Sequence, residues 1–136
     1  MGNLATCKAV TFVDVETTHL DPKTSTLLSI TIITDWEDGK QDVYTQKIKP
    51  SELAIKYASK EALKVCGYNR DDWSEAQPLS NIAGEIAKRI AWGPLVGHNI
   101  QFDIAHIKSS FNRIGWSEGR LDVDNDVYQV AYPLID

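Results

Sequence analysis

The chain has 136 residues, a net charge of −5 and 43% hydrophobic residues, which indicates one folded domain rather than a disordered segment. No apolar run approaches the roughly 20 residues that span a bilayer, and residues 1–8 lack the basic-then-apolar pattern of a signal peptide. Two cysteines, Cys7 and Cys66, are too few for a disulfide framework and predict reduced thiols in a cytoplasmic protein. The acidic balance argues against nucleic-acid binding through bulk positive charge, although carboxylates that hold cations can still present positive charge to phosphates.

The first predicted element is a buried strand that ends in two acids and two threonines. Residues 10–13 are β-branched or aromatic, which favours a strand over a helix. Asp14 and Glu16 are two positions apart, so they lie on the same face of that strand. Two carboxylates so close together are unfavourable unless a cation lies between them. On spacing alone, the pair is equally consistent with half of a divalent-metal site and with a strand end whose acids are solvated.

The rest of the chain alternates between short strands and helices. Periodicity and turn residues predict, in order, a strand at 27–34, a hairpin turn at Asp38-Gly39, a strand at 41–48, a helical region at 52–65 ending near Gly67, an amphipathic helix at 78–90, a short strand at 95–97, a helix from about 99 to 115, a short strand at 121–127, and a helix or tail at 128–136. The first three strands are joined by short turns and predict an antiparallel meander. The order βββ-α-β-α-β predicts a mixed α/β fold.

A second candidate site lies where the short strand 95–97 meets the following helix. Gly97 allows the chain to turn, and Asn99 can cap the helix. Asp103 then lies in the first turn, where the helix dipole favours an acidic side chain, so a purely structural role is one interpretation. Together with the two acids of the first strand, however, it makes three carboxylates at the ends of adjacent strands. That is the oxygen-ligand set that a hard divalent cation prefers.

Two motifs in this order resemble those of a known family. Residues 12–18, Phe-Val-Asp-Val-Glu-Thr-Thr, and residues 97–103, Gly-His-Asn-Ile-Gln-Phe-Asp, resemble the first two exonuclease motifs of the DEDD superfamily, the DnaQ-like and ribonuclease-T-like 3′–5′ exonucleases. The connecting segments 47–50 and 62–68 resemble those of the same group. The resemblance covers almost the whole chain. It implies a ribonuclease-H-like α/β fold, with a single exonuclease-like domain over residues 1–136.

The resemblance also implies a metal-dependent site. Asp14, Glu16 and Asp103 would bind two divalent ions, Mg²⁺ or Mn²⁺, with Asp14 as the bridging ligand. Such ions can activate a water and stabilise the leaving 3′-oxygen during attack on a phosphodiester. The implied substrate is a single-stranded or 3′-terminal DNA or RNA, with a polymerase or a second copy of the chain as a protein partner and no membrane. The residues expected to contact the terminal nucleotide are Thr17, Thr18, His19, His98, Asn99 and Phe102.

Two departures from the family pattern affect the expected activity. His19 stands where the first motif normally has a glycine, and a structural role in the turn is the alternative to a nucleotide contact. The third motif, a His or Tyr general base followed by a fourth acid, does not follow Asp103 at the expected distance. The chain is therefore expected to be shortened at its C-terminal end. Without a general base, the rate of the chemical step is expected to fall by a factor of roughly 10²–10⁴. The missing final helix is also expected to expose apolar surface, which lowers stability or promotes self-association. His98, His106 and Tyr128 are predicted to be structural rather than substitutes for the missing base.

Two other interpretations stay open. In the first, a catalytically silent nuclease-like module binds nucleic acid or a protein partner; in the second, a plain α/β interaction domain carries solvated acids. The acids at 122, 124 and 126 alternate like those of a calcium loop, but Val127 stands where that loop needs glycine and Pro133 where it needs glutamate. Solvated acids explain them better. Metal binding without nucleotide release would favour the silent module.

Overall fold

The three predicted N-terminal strands form the expected antiparallel meander. In the computed structural model, which describes residues 9–116 and 127–129, the strands are β1 (Ala9–Thr17), β2 (Leu27–Trp36), β3 (Gln41–Lys47), β4 (Leu95–Gly97) and β5 (Val127–Gln129). β1 pairs with β2, and β2 with β3, in antiparallel register. The loop 18–26 and the turn 37–40 make these connections, since antiparallel neighbours need no crossover. The first connection is therefore longer than the short turn predicted.

The complete sheet is mixed, with the strand order β3-β2-β1-β4-β5. β4 runs parallel to β1, and β5 runs parallel to β4. The helices of the described ranges are α1 (Glu52–Lys56), α2 (Lys60–Cys66), α3 (Leu79–Ile90) and α4 (Ile100–Arg113). They lie in the crossovers that parallel strands require. The predicted α/β class is confirmed, and no helix within the described ranges is long and apolar enough to cross a membrane.

One face of the sheet packs against α3 and α4. In β1, Val13 and Val15 are buried on this face, while Phe12 and Asp14 on the opposite face are exposed. The apolar stripe predicted for α3 supplies one side of the core. The core residues are aliphatic or aromatic and include Val13, Val15, Ile30, Ile32 and Leu95 from the strands and Ile82, Ile86, Ile90, Ile104, Ile107 and Phe111 from the helices. The helices therefore leave the acidic face of β1 free to line a cleft.

The helical region predicted over 52–65 is two short helices and not one. The hydroxyls of Ser51 and Ser59 each accept a hydrogen bond from the amide three residues later, so each serine caps its own helix. Gly67 ends α2 with a φ of 71°, in the left-handed conformation that favours glycine. The break between the helices also lets the amide of Ser59 donate to the carbonyl of Thr18 at 3.0 Å. This bond fixes α2 beside the end of β1.

The C-terminal predictions are covered only in part. Tyr128 belongs to β5, so the helix or tail predicted to begin at this residue is wrong at its start. The segment 121–126, with its alternating acids, lies outside the described residues. The same holds for Cys7 and for residues 130–136.

Arg89 ties α3 to the meander. Its side chain is 12% exposed, and its Nε lies 2.8 Å from Asp42 Oδ2 while its Nη1 lies 2.6 Å from Glu85 Oε1. The guanidinium carbon lies 4.2 Å from the ring centre of Tyr44 and 5.4 Å from that of Trp92. Cation–π contacts of this kind stabilise more when the cation is partly desolvated.

An Arg89→Ala variant is expected to lower the free energy of unfolding by about 1–3 kcal/mol, because it removes a partly buried ion pair and two ring contacts. Urea unfolding measures this change. Lys88→Ala is the matched control, since Lys88 makes only an exposed ion pair with Glu85 at 3.4 Å and a more distant ring contact; we expect a loss of about 0.5 kcal/mol or less. Equal losses in the two variants would contradict the assigned role of Arg89.

Candidate metal and nucleic-acid site

The two acids of β1 share one face of the strand, as predicted. Asp14 and Glu16 alternate with buried residues along β1, and their partners on β2 are Thr31 and Ser29. The hydroxyl of Ser29 donates a hydrogen bond of 3.3 Å to Glu16 Oε1. Strand alternation thus places both carboxylates on the face opposite to the buried Val13 and Val15, and Glu16 already has a protein partner there.

Asp103 reaches β1 through the tight connection between β4 and α4. Its side chain is only 3% exposed, and its Oδ1 accepts a hydrogen bond of 3.3 Å from the amide of Val15. Gly97 permits this approach, because a Cβ there would lie 3.0 Å from the carbonyl oxygen of Val13 and 3.2 Å from Asp103 Oδ2. The carboxyl of Asp103 is therefore bound to β1, so its role exceeds that of a helix-start residue.

Asp14 and Asp103 form an electrostatically coupled pair. Burial raises the pKa of Asp103 to about 7, the negative charge of Asp14 adds to this increase, and the hydrogen bond from the Val15 amide opposes it. Burial also raises the pKa of Asp14, and the nearby His98 opposes that increase. The raised pKa values show that neighbouring positive charge does not outweigh the cost of burying these two carboxyls. A divalent cation would supply that charge through the oxygen ligands it prefers.

A cleft of about 500 Å³ opens beside this pair, a volume in the range of small-ligand sites. We call it the aspartate cleft. Both carboxyls of the pair line it, together with the rings of Phe12, Phe102 and His98. Apolar rings next to acids can hold a nucleobase near a bound cation.

Glu16 lines a different cleft, of about 490 Å³, which we call the glutamate cleft. Its other lining residues include Thr17, Leu20, Cys66 and Phe102. Burial raises the pKa of the Cys66 thiol, and the charge of Glu16 contributes to the increase. Phe102 lines both clefts and forms part of the boundary between them.

The predicted set of three carboxylates is brought together only in part. Asp14 and Asp103 are paired, whereas Glu16 lies beside Ser29 and the glutamate cleft. Across the described residues, no group of three or more His, Cys, Asp or Glu side chains is arranged to hold a metal ion. The donor set seen here therefore fits one cation on the aspartate pair, with Glu16 as a neighbouring third acid.

The threonines and histidine after Glu16 are engaged within the protein. Thr17 Oγ1 donates to the carbonyl of His19 at 2.7 Å, and the hydroxyl oxygen of Thr18 accepts the amide of Thr26 at 2.9 Å. The His19 ring contacts Thr18 Oγ1 through Nδ1 at 3.1 Å and the carbonyl oxygen of Tyr57 through Nε2 at 2.8 Å. Thr17 lines the glutamate cleft. The contacts of His19 support its structural alternative, since they hold the turn against α1. Thr18, predicted to contact the nucleotide, is engaged in the same turn.

The residues of the second motif face the aspartate cleft. His98 and Asn99 are exposed there, and Asn99 occupies the N-cap position of α4 without making the predicted side-chain capping bond. The ring of Phe102 lies 4.2 Å from that of His106. His106 is buried and bonded through Nε2 to the carbonyl of Leu20 at 3.0 Å, and burial lowers its pKa. The structural role predicted for His106 is confirmed.

Two contributors to this region, the amide of Val15 and the side chain of Leu20, were not predicted. The amide of Val15 holds Asp103, a backbone contact across 88 positions that no residue type signals. Leu20 is 82% exposed and lines the glutamate cleft with Cys66. An apolar residue in an otherwise polar turn is the one sequence signal that could have drawn attention to Leu20.

The mixed sheet with the strand order β3-β2-β1-β4-β5 gives an α/β fold that solved structures of exonuclease I share, in agreement with the ribonuclease-H-like fold expected from the sequence. Exonuclease I from Methylocaldum szegediense matches with a TM-score of 0.74 and 17% identity, over 91% of this chain and 27% of that chain. A structure of exonuclease I that suggests how processivity is achieved matches with a TM-score of 0.73 and 15% identity, over 90% of this chain and 28% of that one.

Exonuclease I from E. coli, in complex with a 5cy-dA13 oligonucleotide, matches with a TM-score of 0.70 and 17% identity, over 90% of this chain and 28% of that chain. This chain thus spans less than a third of the length of these proteins. No protein-family profile matches the sequence, and no curated protein sequence matches it. At such identities the similarity establishes the fold and not the activity.

Proposed function

We propose that this domain is a divalent-metal-dependent 3′–5′ exonuclease that acts on single-stranded DNA or RNA ends. The observation that carries the proposal is the pairing of Asp14 with Asp103 from positions 89 apart, at one end of the parallel strands β1 and β4. Burial raises the pKa values of both carboxyls, and the negative charge of Asp14 adds to the increase at Asp103. A structural pair would gain nothing from this repulsion, whereas a cation-binding pair requires two anionic oxygen donors close together.

The residues fit Mg²⁺ or Mn²⁺ by the chemistry of their donors. Asp14 and Asp103 would hold one ion, and Glu16, in the neighbouring cleft, is the candidate ligand for a second. When bound, such ions polarise the scissile phosphate and stabilise the charge that develops on the leaving oxygen. The amide of Val15 keeps the Asp103 carboxyl in place. Phe102 and His98 line the aspartate cleft and would orient the terminal nucleotide there.

The substrate class follows from the same arrangement and from the fold. Both clefts are open and the rings that line them are compatible with stacking on unpaired bases, which is how proteins commonly bind single strands. E. coli exonuclease I, which shares the fold, is seen with a bound DNA oligonucleotide. These two points support a single-stranded substrate.

The test is degradation of a single strand labelled at either end. With Mn²⁺ or Mg²⁺ we expect a 3′ label to be released first as a mononucleotide, while a 5′ label appears in a ladder of shortening products. EDTA should abolish both patterns. Early release of the 5′ label would contradict the direction of attack. Absence of both metal binding and nucleotide release would refute the proposal as a whole.

A second candidate is a catalytically silent module of the same fold. It is favoured by one observation, the lack of a three-residue metal cluster in the described ranges. The two candidates differ in a calorimetric titration with Mn²⁺ run beside the cleavage assay. Metal binding and oligonucleotide binding without any nucleotide release would support the silent module.

A further inference from the structure

A third cleft lies between the β1–β2 loop and α1, next to the glutamate cleft. It is shallow, with a volume of about 320 Å³. We call it the basic cleft, and the lining residues that matter here are Lys23, Ser25, Ser51, Leu53, Tyr57 and Arg113. No carboxylate is among the described residues that line it, whereas the other two clefts contain Asp or Glu. In a chain with a net charge of −5, two positively charged side chains, Lys23 and Arg113, thus lie together beside the acidic site.

The two cations of the basic cleft are not neutralised by the contacts they make. Arg113 donates to the carbonyl oxygens of Ser25 and Pro22, each at 2.6 Å, and these acceptors are uncharged. Lys23 is exposed, and its ammonium takes part in none of the ion pairs formed among the described residues. The carboxyl of Asp21, on the same loop, accepts the backbone amide of Lys23 at 2.9 Å. Both positive charges can therefore act on an external anion.

One hydroxyl and the aromatic ring of the cleft complement these charges. The Oγ of Ser25 accepts the amide of His19 at 3.2 Å, and the Oγ of Ser51 accepts the amide of Ala54 at 3.0 Å. Ser25 is only 1% exposed, so its hydroxyl holds the loop, whereas the exposed hydroxyl of Ser51 still has its own hydrogen to donate to a phosphate oxygen. Tyr57 is 65% exposed, and Lys56 Nζ lies 5.5 Å from its ring centre. A base can stack on the part of the ring that stays exposed.

A short wall separates the basic cleft from the glutamate cleft. It consists of the contact from His19 Nε2 to the carbonyl of Tyr57 at 2.8 Å and the hydrogen bond from the Ser59 amide to Thr18 at 3.0 Å. Ser59 itself lines the glutamate cleft. A polymer that occupies one cleft can therefore continue into the next by crossing the β1–β2 loop.

We propose that the basic cleft binds a single-stranded nucleic acid one or more nucleotides away from the terminal residue. Lys23, Arg113 and the hydroxyl of Ser51 bind backbone phosphate, and Tyr57 stacks on a base. Cations that follow the backbone and an aromatic platform for the bases are the two components of sequence-tolerant single-strand binding. The identity of the ligand rests on the proposed function, while the test below measures binding without cleavage.

The experiment is fluorescence anisotropy of a labelled thymidine dodecamer with the full chain in EDTA. Lys23→Glu is expected to weaken binding about five- to twentyfold and to reduce the salt dependence by about one counterion. The control is Lys40→Glu, which makes the same charge change at the exposed β2–β3 turn. The affinity of this variant for the dodecamer should stay within about twofold of that of the unchanged protein. Equal weakening by both substitutions would mean that only net charge matters and would overturn the proposal.

Tyr57→Ala separates stacking from charge. We expect about fivefold weaker binding of the thymidine dodecamer and unchanged binding of an abasic dodecamer with the same phosphates. Equal weakening for both oligonucleotides would overturn the stacking assignment.

Inorganic phosphate is the last competitor to test. If inorganic phosphate displaces the oligonucleotide when the two are present at the same total phosphate concentration, the cleft binds free anions, and the assignment to a nucleic-acid strand is overturned. If the chain binds the dodecamer in a way that depends on Lys23 but shows no cleavage, the proposed exonuclease activity is refuted while this binding site remains supported.

Discussion

An Asp14→Asn variant is expected to lose metal-dependent nucleotide release by roughly 10²–10³ and to bind Mn²⁺ more weakly than the unchanged chain. The reason is that Asn keeps the size of the side chain and removes the negative charge on one of the two paired donors. The loss corresponds to about 3–4 kcal/mol of transition-state stabilisation, the scale expected for a metal ligand at a reacting phosphate. End-labelled cleavage and calorimetric Mn²⁺ titration give the two readouts.

The matched control for Asp14→Asn is Glu75→Gln. Glu75 is an exposed acid in the segment between α2 and α3, and its replacement makes the same change in net charge. Its activity and Mn²⁺ affinity should remain within about twofold of the unchanged chain, because exposed charges far from a site are largely screened. Circular dichroism of both variants checks that the fold is retained. Undiminished cleavage by a folded Asp14→Asn chain would show that the aspartate pair does not hold the catalytic metal.

An Asp103→Asn variant is expected to be more stable than the unchanged chain at pH 8 in EDTA. The pKa of this carboxyl rises from 3.8 to about 7 on folding, so the folded state binds the proton more tightly than the unfolded state. The stability contributed by this group is fully present below about pH 4 and is lost as the pH rises through about 7. Asn cannot ionise and therefore escapes the loss.

The expected gain for Asp103→Asn at pH 8 is on the order of 2–4 kcal/mol, since one pKa unit corresponds to about 1.4 kcal/mol. The amide oxygen of Asn can still accept the hydrogen bond from Val15, so the packing at this position is preserved. Urea unfolding at several pH values between 4 and 8 measures the effect. Saturating Mg²⁺ should restore stability to the unchanged chain and not to the variant, because a ligand that binds the folded state stabilises it. Identical pH profiles for the two chains would contradict the assigned burial and pairing of Asp103.

These two predictions distinguish the paired acids from solvated ones. A solvated strand-end acid would have an ordinary pKa, and its replacement would change neither metal affinity nor the pH dependence of stability. Opposite effects on stability and activity are typical of a site that stores electrostatic repulsion for a ligand. Asp14 and Asp103 would then be retained for function at the expense of folding stability.

Much of the fold follows from local patterns in the sequence. The β-branched run before Asp14 and the hairpin signal at Asp38-Gly39 predict the meander, because strand alternation and turn geometry are properties of a few neighbouring residues. The stripe of α3 follows for the same reason. The division of the 52–65 region into two helices was missed, although Ser51 and Ser59 each stand at a capping position. Apolar spacing alone does not report a cap that interrupts it.

The sequence by itself determined that Asp14 and Glu16 share one face of a strand, since side-chain direction alternates in every strand. Only the tertiary structure decided which acids meet. Asp103 pairs with Asp14 because Gly97 admits the carboxyl next to β1 and the amide of Val15 binds it. Glu16 is directed to Ser29, and Arg113 is brought to Lys23 across 90 positions of sequence. Such contacts depend on the packing of α4 against the sheet, and no local pattern of residues encodes them.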